Sequence, residues 1–258
     1  MLPVGLVLAY SFFQRGEFGG VVYDWTPDNY RRALDPLYLR TLWFSVRISL
    51  EATAIALLIG FPTAAFIASS SRRWRTALLV LVVLPFWTSL LIRTYAWIVV
   101  LNDAGLANAV LERLGVVDEP LRLLYGELAI LVGLVYGYLP LMVLPIYAAL
   151  ERLGPEIREA SADLGAGAVR TFLNVTLPLT APGVVAGCIF VFVPSLGNFI
   201  VPDLLGGGRK LMIGNVIQTE FLRSRDWPFG ATLAVSVIAM LVALVVVQAW
   251  LGDRRRET

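Results

Sequence analysis

The chain has 258 residues, of which 58% are hydrophobic and only 16% are charged, and its mean hydropathy is +0.75. A soluble domain of this length does not bury so many long apolar runs, so the composition indicates a membrane protein. The chain has no His and a single Cys, Cys188, which excludes zinc sites, catalytic imidazoles and a disulfide framework. The formal net charge of +2 gives no indication of nucleic-acid binding.

The first apolar segment, residues 1–13, extends only about 20 Å as a helix and cannot cross a membrane core of about 30 Å unaided. It lacks the basic leading region and the small-residue cleavage site of a signal peptide. We therefore interpret it as the second half of a first span that begins upstream of residue 1, with a signal peptide as the less favoured alternative.

Five longer apolar segments follow, and each is long enough to cross the membrane. The segment 41–69 carries Arg47 and Glu51 at a spacing that allows an ion pair along one helix face. The segment 77–101 carries only Arg93, a charge that needs a partner or a wet cavity inside a membrane, and we favour a structural role for it. The three uncharged segments are 128–150, 179–202 and 229–252.

The sequence thus predicts an all-α polytopic membrane protein with about six transmembrane helices in a single domain over residues 1–258. Gly183 and Gly187 form a G-x-x-x-G pair that predicts close packing between helices. Arginine is denser in the short connections than in those on the other side, so the positive-inside rule favours a cytoplasmic location for the short ones. These short connections are 70–76, 151–178 and 253–258.

The connection 151–178 has the pattern of a hairpin of two short helices. Gly154 and Pro155 open the first helix, and Gly165 ends it. Small and apolar residues recur on one face of this helix at i, i+3, i+4 and i+7, which is typical of a helix that contacts another surface. These residues are Ile157, Ala160, Ser161 and Leu164.

A second helix with the same spacing is predicted after Gly165, followed by Pro178 and Pro182, which bracket the return of the chain to the membrane. Its face consists of Val169, Phe172, Leu173 and Thr176. On the residues alone, a hairpin that lies on the lipid surface or on its own helix bundle is an equally good interpretation.

The hairpin contains the stretch EASADLGAGAVRTFLNVTLP, which resembles the signature loop of ABC importer permeases. The signature is Glu-Ala-Ala, three residues, Gly, nine residues, Ile, one residue and Leu-Pro. Glu159, Ala160, Gly165, Leu177 and Pro178 match it, while Ser161 and Val175 replace an Ala and an Ile with side chains of similar size. Further segments look like the spermidine/putrescine-type permeases, namely 84–101, 133–150 and 197–235.

The resemblance implies that the first hairpin helix is a cytoplasmic coupling helix, which docks on a separate ATP-binding subunit and whose contact residues include Glu159 and Gly165. It implies two such subunits, which hold ATP and Mg²⁺, a second similar permease subunit, and a periplasmic or lipid-anchored solute-binding protein. This chain is then expected to hold no cofactor or metal, to catalyse no reaction, and to lie among the lipids of the bacterial inner membrane. Its segment 206–210 lacks the spacing of a nucleotide-binding P-loop.

A path for a polyamine, which is a flexible polycation, should offer carboxylates and aromatic faces. The candidate residues are Trp87, Tyr95, Trp97, Asp203, Glu220, Asp226 and Trp227. Each aromatic residue near the end of a span has an alternative interpretation as part of the interfacial aromatic belt. Asp203 has an alternative role as a cap for backbone donors.

The resemblance therefore implies a permease subunit of an ATP-driven importer for spermidine, putrescine or a related small solute. The alternative is the same machinery with another cargo, such as ferric iron, a phosphonate-like compound or another amine. An autonomous channel or an intramembrane enzyme is disfavoured, because the spans hold almost no ionisable residues and a channel needs no docking hairpin.

Overall fold

The computed structural model describes residues 2–17, 19–154 and 156–254. The described chain is almost entirely helical, and its one sheet is a small antiparallel hairpin of β1 (Gln14–Arg15) and β2 (Val21–Val22). Five of its helical stretches are long and apolar enough to cross a membrane, which confirms the all-α polytopic fold class. These stretches are Pro36–Ser69, Leu90–Arg113, Glu127–Leu153, Ala168–Leu196 and Trp227–Val246.

In chain order the helices are α1 (Leu2–Tyr10), α2 (Asp28–Ala33), α3 (Pro36–Ser69), α4 (Arg72–Val83), α5 (Leu90–Leu101), α6 (Leu106–Arg113), α7 (Glu127–Leu153), α8 (Glu156–Asp163), α9 (Ala168–Thr171), α10 (Leu177–Leu196), α11 (Ile200–Leu205), α12 (Ile213–Leu222) and α13 (Trp227–Arg254). A 3₁₀ helix covers Leu84–Trp87, and a π-helical segment covers Phe172–Thr176. The chain divides into two compact units, residues 1–45 with 211–258 and residues 46–210, which are described separately.

The first unit is built around α13, which packs against α1, α2 and α12. Phe229 is fully buried in its core. The hydroxyl of Thr232 donates a hydrogen bond to the carbonyl of Ser11 at 3.0 Å and so holds α13 to the segment after α1. The amide of Ile213 donates to the hydroxyl oxygen of Ser45 at 2.7 Å, which supplies a partner for the first backbone donor of α12.

The second unit is dominated by the packing of α7 against α10. A Cβ atom at Gly183 would lie 2.5 Å from Cβ of Ala149, and one at Gly187 would lie 2.8 Å from Sδ of Met142. Only glycine allows the two helices to approach this closely, which confirms the role predicted for the G-x-x-x-G pair.

The predicted span 77–101 is wrong as a single helix. Helix α4 ends at Val83, a 3₁₀ helix follows, and Thr88 and Ser89 are extended before α5 begins. Pro85 lacks an amide hydrogen and cannot continue the α-helical hydrogen bonding. Hydropathy does not reveal this break, because the residues at the break are largely apolar.

The predicted span 179–202 also ends early, because α10 stops at Leu196 and three residues separate it from the start of α11. Asn198 is buried at this break. Its Oδ1 accepts a hydrogen bond from the amide of Val201 at 2.9 Å, and its Nδ2 donates to the hydroxyl of Tyr138 at 2.7 Å. The Asn198 side chain therefore supplies a hydrogen-bond acceptor for a backbone amide that has no helical partner at the break.

The charged residues predicted within spans make local contacts in the second unit. Nε of Arg47 lies 3.7 Å from Oε1 of Glu51, which confirms the predicted ion pair, and Arg47 also contacts Glu127. Arg93 donates to the carbonyl of Gly137 at 3.4 Å, and its guanidinium lies 5.6 Å from the centre of the Phe86 ring. These contacts fit the structural role favoured for Arg93.

Candidate functional site

The two helices predicted for the connection 151–178 are present as α8 and α9, with a tight turn between them. Gly165 lies in this turn with a φ of +81°, a left-handed conformation that residues with a side chain rarely adopt. No atom lies within 4 Å of the position that a Cβ would take at Gly165. Glycine is thus required here by backbone conformation and not by lack of space.

The second hairpin helix continues directly into the membrane-spanning helix, whereas the sequence placed the connection 151–178 apart from a span that starts at residue 179. Helix α9, the π-helical segment and α10 follow one another without interruption. Proline cannot donate to the carbonyl four residues earlier, and its ring crowds that carbonyl. The wider π turn immediately before Pro178 gives the helix a way to accommodate this proline.

The predicted contact face of α8 differs in exposure from one residue to the next. Leu164 is 89% exposed and Ile157 is 40% exposed, and Ala160 is also exposed. Ser161 is buried, and the side chain of Glu159 lies outside the described part of the structure. Leu164 and Ile157 therefore offer apolar surface to another molecule, whereas Ser161 points toward the rest of the hairpin.

Ser161 joins the two helices of the hairpin. Its hydroxyl oxygen lies 3.0 Å from Oγ1 of Thr171, and either hydroxyl can donate in this hydrogen bond. The carbonyl of Ser161 accepts a second hydrogen bond, at 3.1 Å, from the amide of Ala166 in the turn. Thr171 is not among the residues predicted from the sequence, although a hydroxyl residue on each side of a glycine turn is a signal for such a bond.

A cavity of about 940 Å³ lies beside the second helix of the hairpin, between it and the ends of α3 and α7. Most of its lining is apolar, and Phe61 and Phe172 meet there edge to face with ring centres 5.3 Å apart. Arg75 also lines the cavity and donates to Glu151 at 3.0 Å. The hairpin is therefore supported on this side by few side chains.

Four of the residues proposed for a substrate path lie in the second unit. Trp87 and Tyr95 are 78% and 56% exposed, and Asp203 is also exposed. Trp97 instead packs edge to face on Tyr136, with ring centres 5.5 Å apart. Asp203 makes no side-chain cap to α11, because Asn198 supplies the acceptor at that helix start.

Glu220 and Asp226, two further candidates in the first unit, are both buried and share one cation, Arg32. Nη1 of Arg32 donates to Oδ2 of Asp226 at 2.7 Å, and Nη2 lies 3.9 Å from Oε1 of Glu220. The guanidinium also stacks over the ring of Phe229 at 3.7 Å from its centre. Trp227, next in the chain, is 45% exposed.

The surroundings of Arg32 stabilise its charged form. Burial by itself lowers the pKa of the guanidinium, but hydrogen bonds to Asp226 and Tyr38 outweigh this effect, so the pKa is raised above its ordinary value. Arg32 is not among the residues predicted from the sequence, because it lies 194 positions from Asp226 in the chain. These two carboxylates are buried against a half-exposed cation and are not exposed along a path.

Comparison with known proteins identifies the family. Residues 56–257 match the family described as binding-protein-dependent transport system inner membrane component. The chain is 44% identical over 247 residues to the spermidine/putrescine transport system permease protein PotB of Haemophilus influenzae, covering 96% of this chain and 86% of that protein. It is 42% identical over 253 residues to the PotB protein of Escherichia coli, covering 98% and 92%.

The fold matches as well. The crystal structure of a bacterial ABC transporter involved in the import of the acidic polysaccharide alginate has a chain that superposes with a TM-score of 0.69 at 17% identity, covering 98% of this chain and 88% of that one. The chain belongs to the inner-membrane components of binding-protein-dependent transport systems, a family of multi-pass transporter permeases.

Proposed function

We propose that this chain is the permease subunit of an ATP-driven importer for spermidine, putrescine or a related small polycation. The observation that carries the proposal is the identity of 44% and 42%, over 96% and 98% of this chain, to two proteins that bear the name of spermidine/putrescine permeases. The exposed aromatic residues Trp87 and Tyr95 are compatible with such a cargo, because aromatic faces attract organic cations.

The importer that we propose contains four kinds of subunit. Two ATPase subunits bind ATP and Mg²⁺, a second similar permease completes the path, and a periplasmic or lipid-anchored protein delivers the solute. The family description, which refers to a binding protein, supports the last of these partners. This chain moves between inward-open and outward-open states and leaves ATP hydrolysis to its partners.

The proposal assigns the contact with the ATPase subunit to α8, on the cytoplasmic side. Leu164 at the end of this helix is 89% exposed, and Ile157 is 40% exposed. Exposed apolar side chains on a short helix gain free energy when a partner groove covers them. Because the second hairpin helix runs on into α10, a displacement of α8 would reach the membrane-spanning part of the chain.

Leu164→Ser tests this contact. We expect the amount of ATPase subunit that copurifies with the chain to fall at least about fivefold, because covering a leucine side chain contributes about 1.5–3 kcal/mol. Val169→Ser is the matched control, since Val169 is 72% exposed on the other hairpin helix. Equal copurification of both variants with the ATPase subunit would show that α8 does not dock through Leu164.

The proposed path uses the exposed and half-buried candidates in preference to the buried ones. We retain Trp87, Tyr95, Trp97, Asp203 and Trp227 as residues of the path. Glu220 and Asp226 are assigned instead to holding Arg32, because both carboxylates are buried and face its guanidinium. An exposed carboxylate such as Asp203 can attract an ammonium group at less desolvation cost than a buried one.

Asp203→Asn tests the path and the cargo together. In proteoliposomes with the cognate binding protein and ATPase subunits, we expect the spermidine concentration for half-maximal uptake to rise about fivefold, the effect of losing roughly 1 kcal/mol of ion pairing. Asp118→Asn, which neutralises an exposed carboxylate in a loop elsewhere in the chain, should leave uptake unchanged. Failure of the wild-type importer to take up spermidine or putrescine, with uptake of another solute, would reject the polyamine assignment.

A further inference from the structure

We propose that the hydrogen bond between Ser161 and Thr171 fixes the angle between α8 and the helix that continues from α9 into α10, and thereby sets how completely ATP hydrolysis is coupled to transport. The inference rests on the proposed function, because it takes α8 as the contact with the ATPase subunit. Ser161 and Thr171 act in it as positioning residues and touch neither solute nor nucleotide.

The bond lies where the two helices meet. The two hydroxyl oxygens are 3.0 Å apart, and Ser161 is only 8% exposed, so water competes little for the bond. The carbonyl of the same residue accepts from the amide of Ala166 at 3.1 Å. Ser161 thus links the first helix both to the turn and to the second helix.

Among the described residues, few packing contacts hold the hairpin in place beyond that of Phe172 with Phe61. The cavity of about 940 Å³ borders the second helix at Ala168, Thr171 and Phe172. On the other surfaces, Leu164 and Val169 are 89% and 72% exposed. Since close-packed side chains normally fix the angle between helices, a hairpin with a cavity on one side and exposed surface on others depends more on each hydrogen bond.

Apart from the backbone hydrogen bond from Ala166 to Ser161, the turn adds little restraint. Gly165 has a φ of +81°, and no atom lies within 4 Å of its Cβ position. A glycine with open space around it permits a range of backbone angles. The angle between the helices is therefore restrained by side chains on either side of the turn, and within the described part of the hairpin the hydrogen bond of Ser161 with Thr171 joins α8 to α9.

The restraint has a direct consequence for energy transfer. If the angle between the helices is free to change, part of the displacement of α8 bends the hairpin and does not move α10. ATP is then hydrolysed without a matching import of solute. We therefore expect loss of the bond to raise the number of ATP molecules hydrolysed for each solute molecule imported.

The test uses the complete importer in proteoliposomes, with Ser161→Ala, Thr171→Val and the double variant. Alanine is the residue that the permease signature has at position 161, so the methyl group fits and only the hydroxyl is lost. We expect the ratio of ATP hydrolysed to solute imported to rise about threefold in each single variant, the effect of one neutral hydrogen bond. The double variant should show the same rise, and Thr171→Ser should keep the wild-type ratio.

Two results would overturn the inference. One is a wild-type ratio of ATP hydrolysed to solute imported in both single variants. This holds even if less ATPase subunit copurifies, because an unchanged ratio for each assembled complex is the pattern of a residue needed only for assembly. The other is a double variant whose effect equals the product of the two single effects, because the residues then act independently.

A second measurement needs only this chain and separates the inference from the proposed function. Spin labels on cysteines introduced at Leu164 and Leu179, both exposed, in a Cys188→Ser background report the distance between α8 and α10. We expect Ser161→Ala to broaden the distance distribution measurably. An unchanged distance distribution overturns the inference. If the distribution broadens as expected but the importer carries no polyamine, only the proposed cargo is refuted.

Discussion

Replacing Asp226 with alanine should lower the free energy of unfolding of the chain by about 2–4 kcal/mol. Asp226 is 1% exposed, and each of its carboxylate oxygens has a partner. Oδ2 accepts from Arg32 at 2.7 Å, and Oδ1 accepts from the amide of Phe229 at 3.1 Å. Alanine removes the cap of α13 and the main counter-charge of Arg32 in one step.

The two contributions can be separated. A capping carboxylate contributes about 1 kcal/mol and a charge-assisted hydrogen bond about 1.5–3 kcal/mol. The ion pair belongs at the lower end of its range, because the side chain of Arg32 is 45% exposed and Glu220 remains nearby. Asp226→Asn keeps an acceptor for the cap and loses the charge, so it should destabilise the chain by about half as much as alanine.

The measurement is unfolding of the purified chain in mixed micelles with increasing SDS, followed by circular dichroism. Asp24→Ala is the control, because Asp24 is an exposed carboxylate in the same unit. Its free energy of unfolding should stay within about 0.5 kcal/mol of wild type. If Asp226→Ala unfolded at the same SDS fraction as Asp24→Ala, the cluster around Arg32 would contribute nothing to stability.

Gly183→Ala should cost about 2–3 kcal/mol, although it adds a single methyl group. The new Cβ would lie 2.5 Å from Cβ of Ala149 and 2.6 Å from the carbonyl oxygen of Pro145. Replacing a helical glycine with alanine by itself stabilises a helix by about 0.5–1 kcal/mol, which is too little to offset this overlap. Helices α7 and α10 must therefore separate.

The control for this variant is Gly197→Ala, because no atom lies within 4 Å of the Cβ position at Gly197. The same SDS titration should place it within about 0.5 kcal/mol of wild type. Adding Ala149→Gly to Gly183→Ala should recover part of the stability, since one of the two overlaps is removed and that with Pro145 remains. No recovery in the double variant would mean that the loss has another cause.

The long apolar segments could be predicted from the sequence, because spanning a membrane requires a run of apolar residues that composition alone reveals. The helix breaks could not. The break before α5 depends on Pro85, but α7 contains Pro140 and Pro145 and remains one helix. Proline ends or bends a membrane helix according to what its neighbours supply, and those neighbours are set by tertiary structure.

The candidate site, like the fold, could be predicted from the sequence only in part. Local spacing was sufficient to predict a hairpin with exposed Leu164, because a helix face is a property of consecutive residues. The partners of Asp226 and Ser161 were not predictable by this route. Arg32 is far from Asp226 in the chain, and the two roles predicted for Ser161, on the contact face and in place of a signature alanine, do not indicate its hydrogen bond to Thr171.

The uninterrupted helix from Ala168 to Leu196 has a mechanical consequence. Its 29 residues give it a length of about 43 Å, so it can act as a lever between the hairpin and the far end of α10. A tilt of about 10° about the Ala168 end shifts Leu196 by about 7 Å. Asn198 lies two residues beyond that end. Its hydrogen bonds with Tyr138 and Val201 would therefore be subject to the largest displacement.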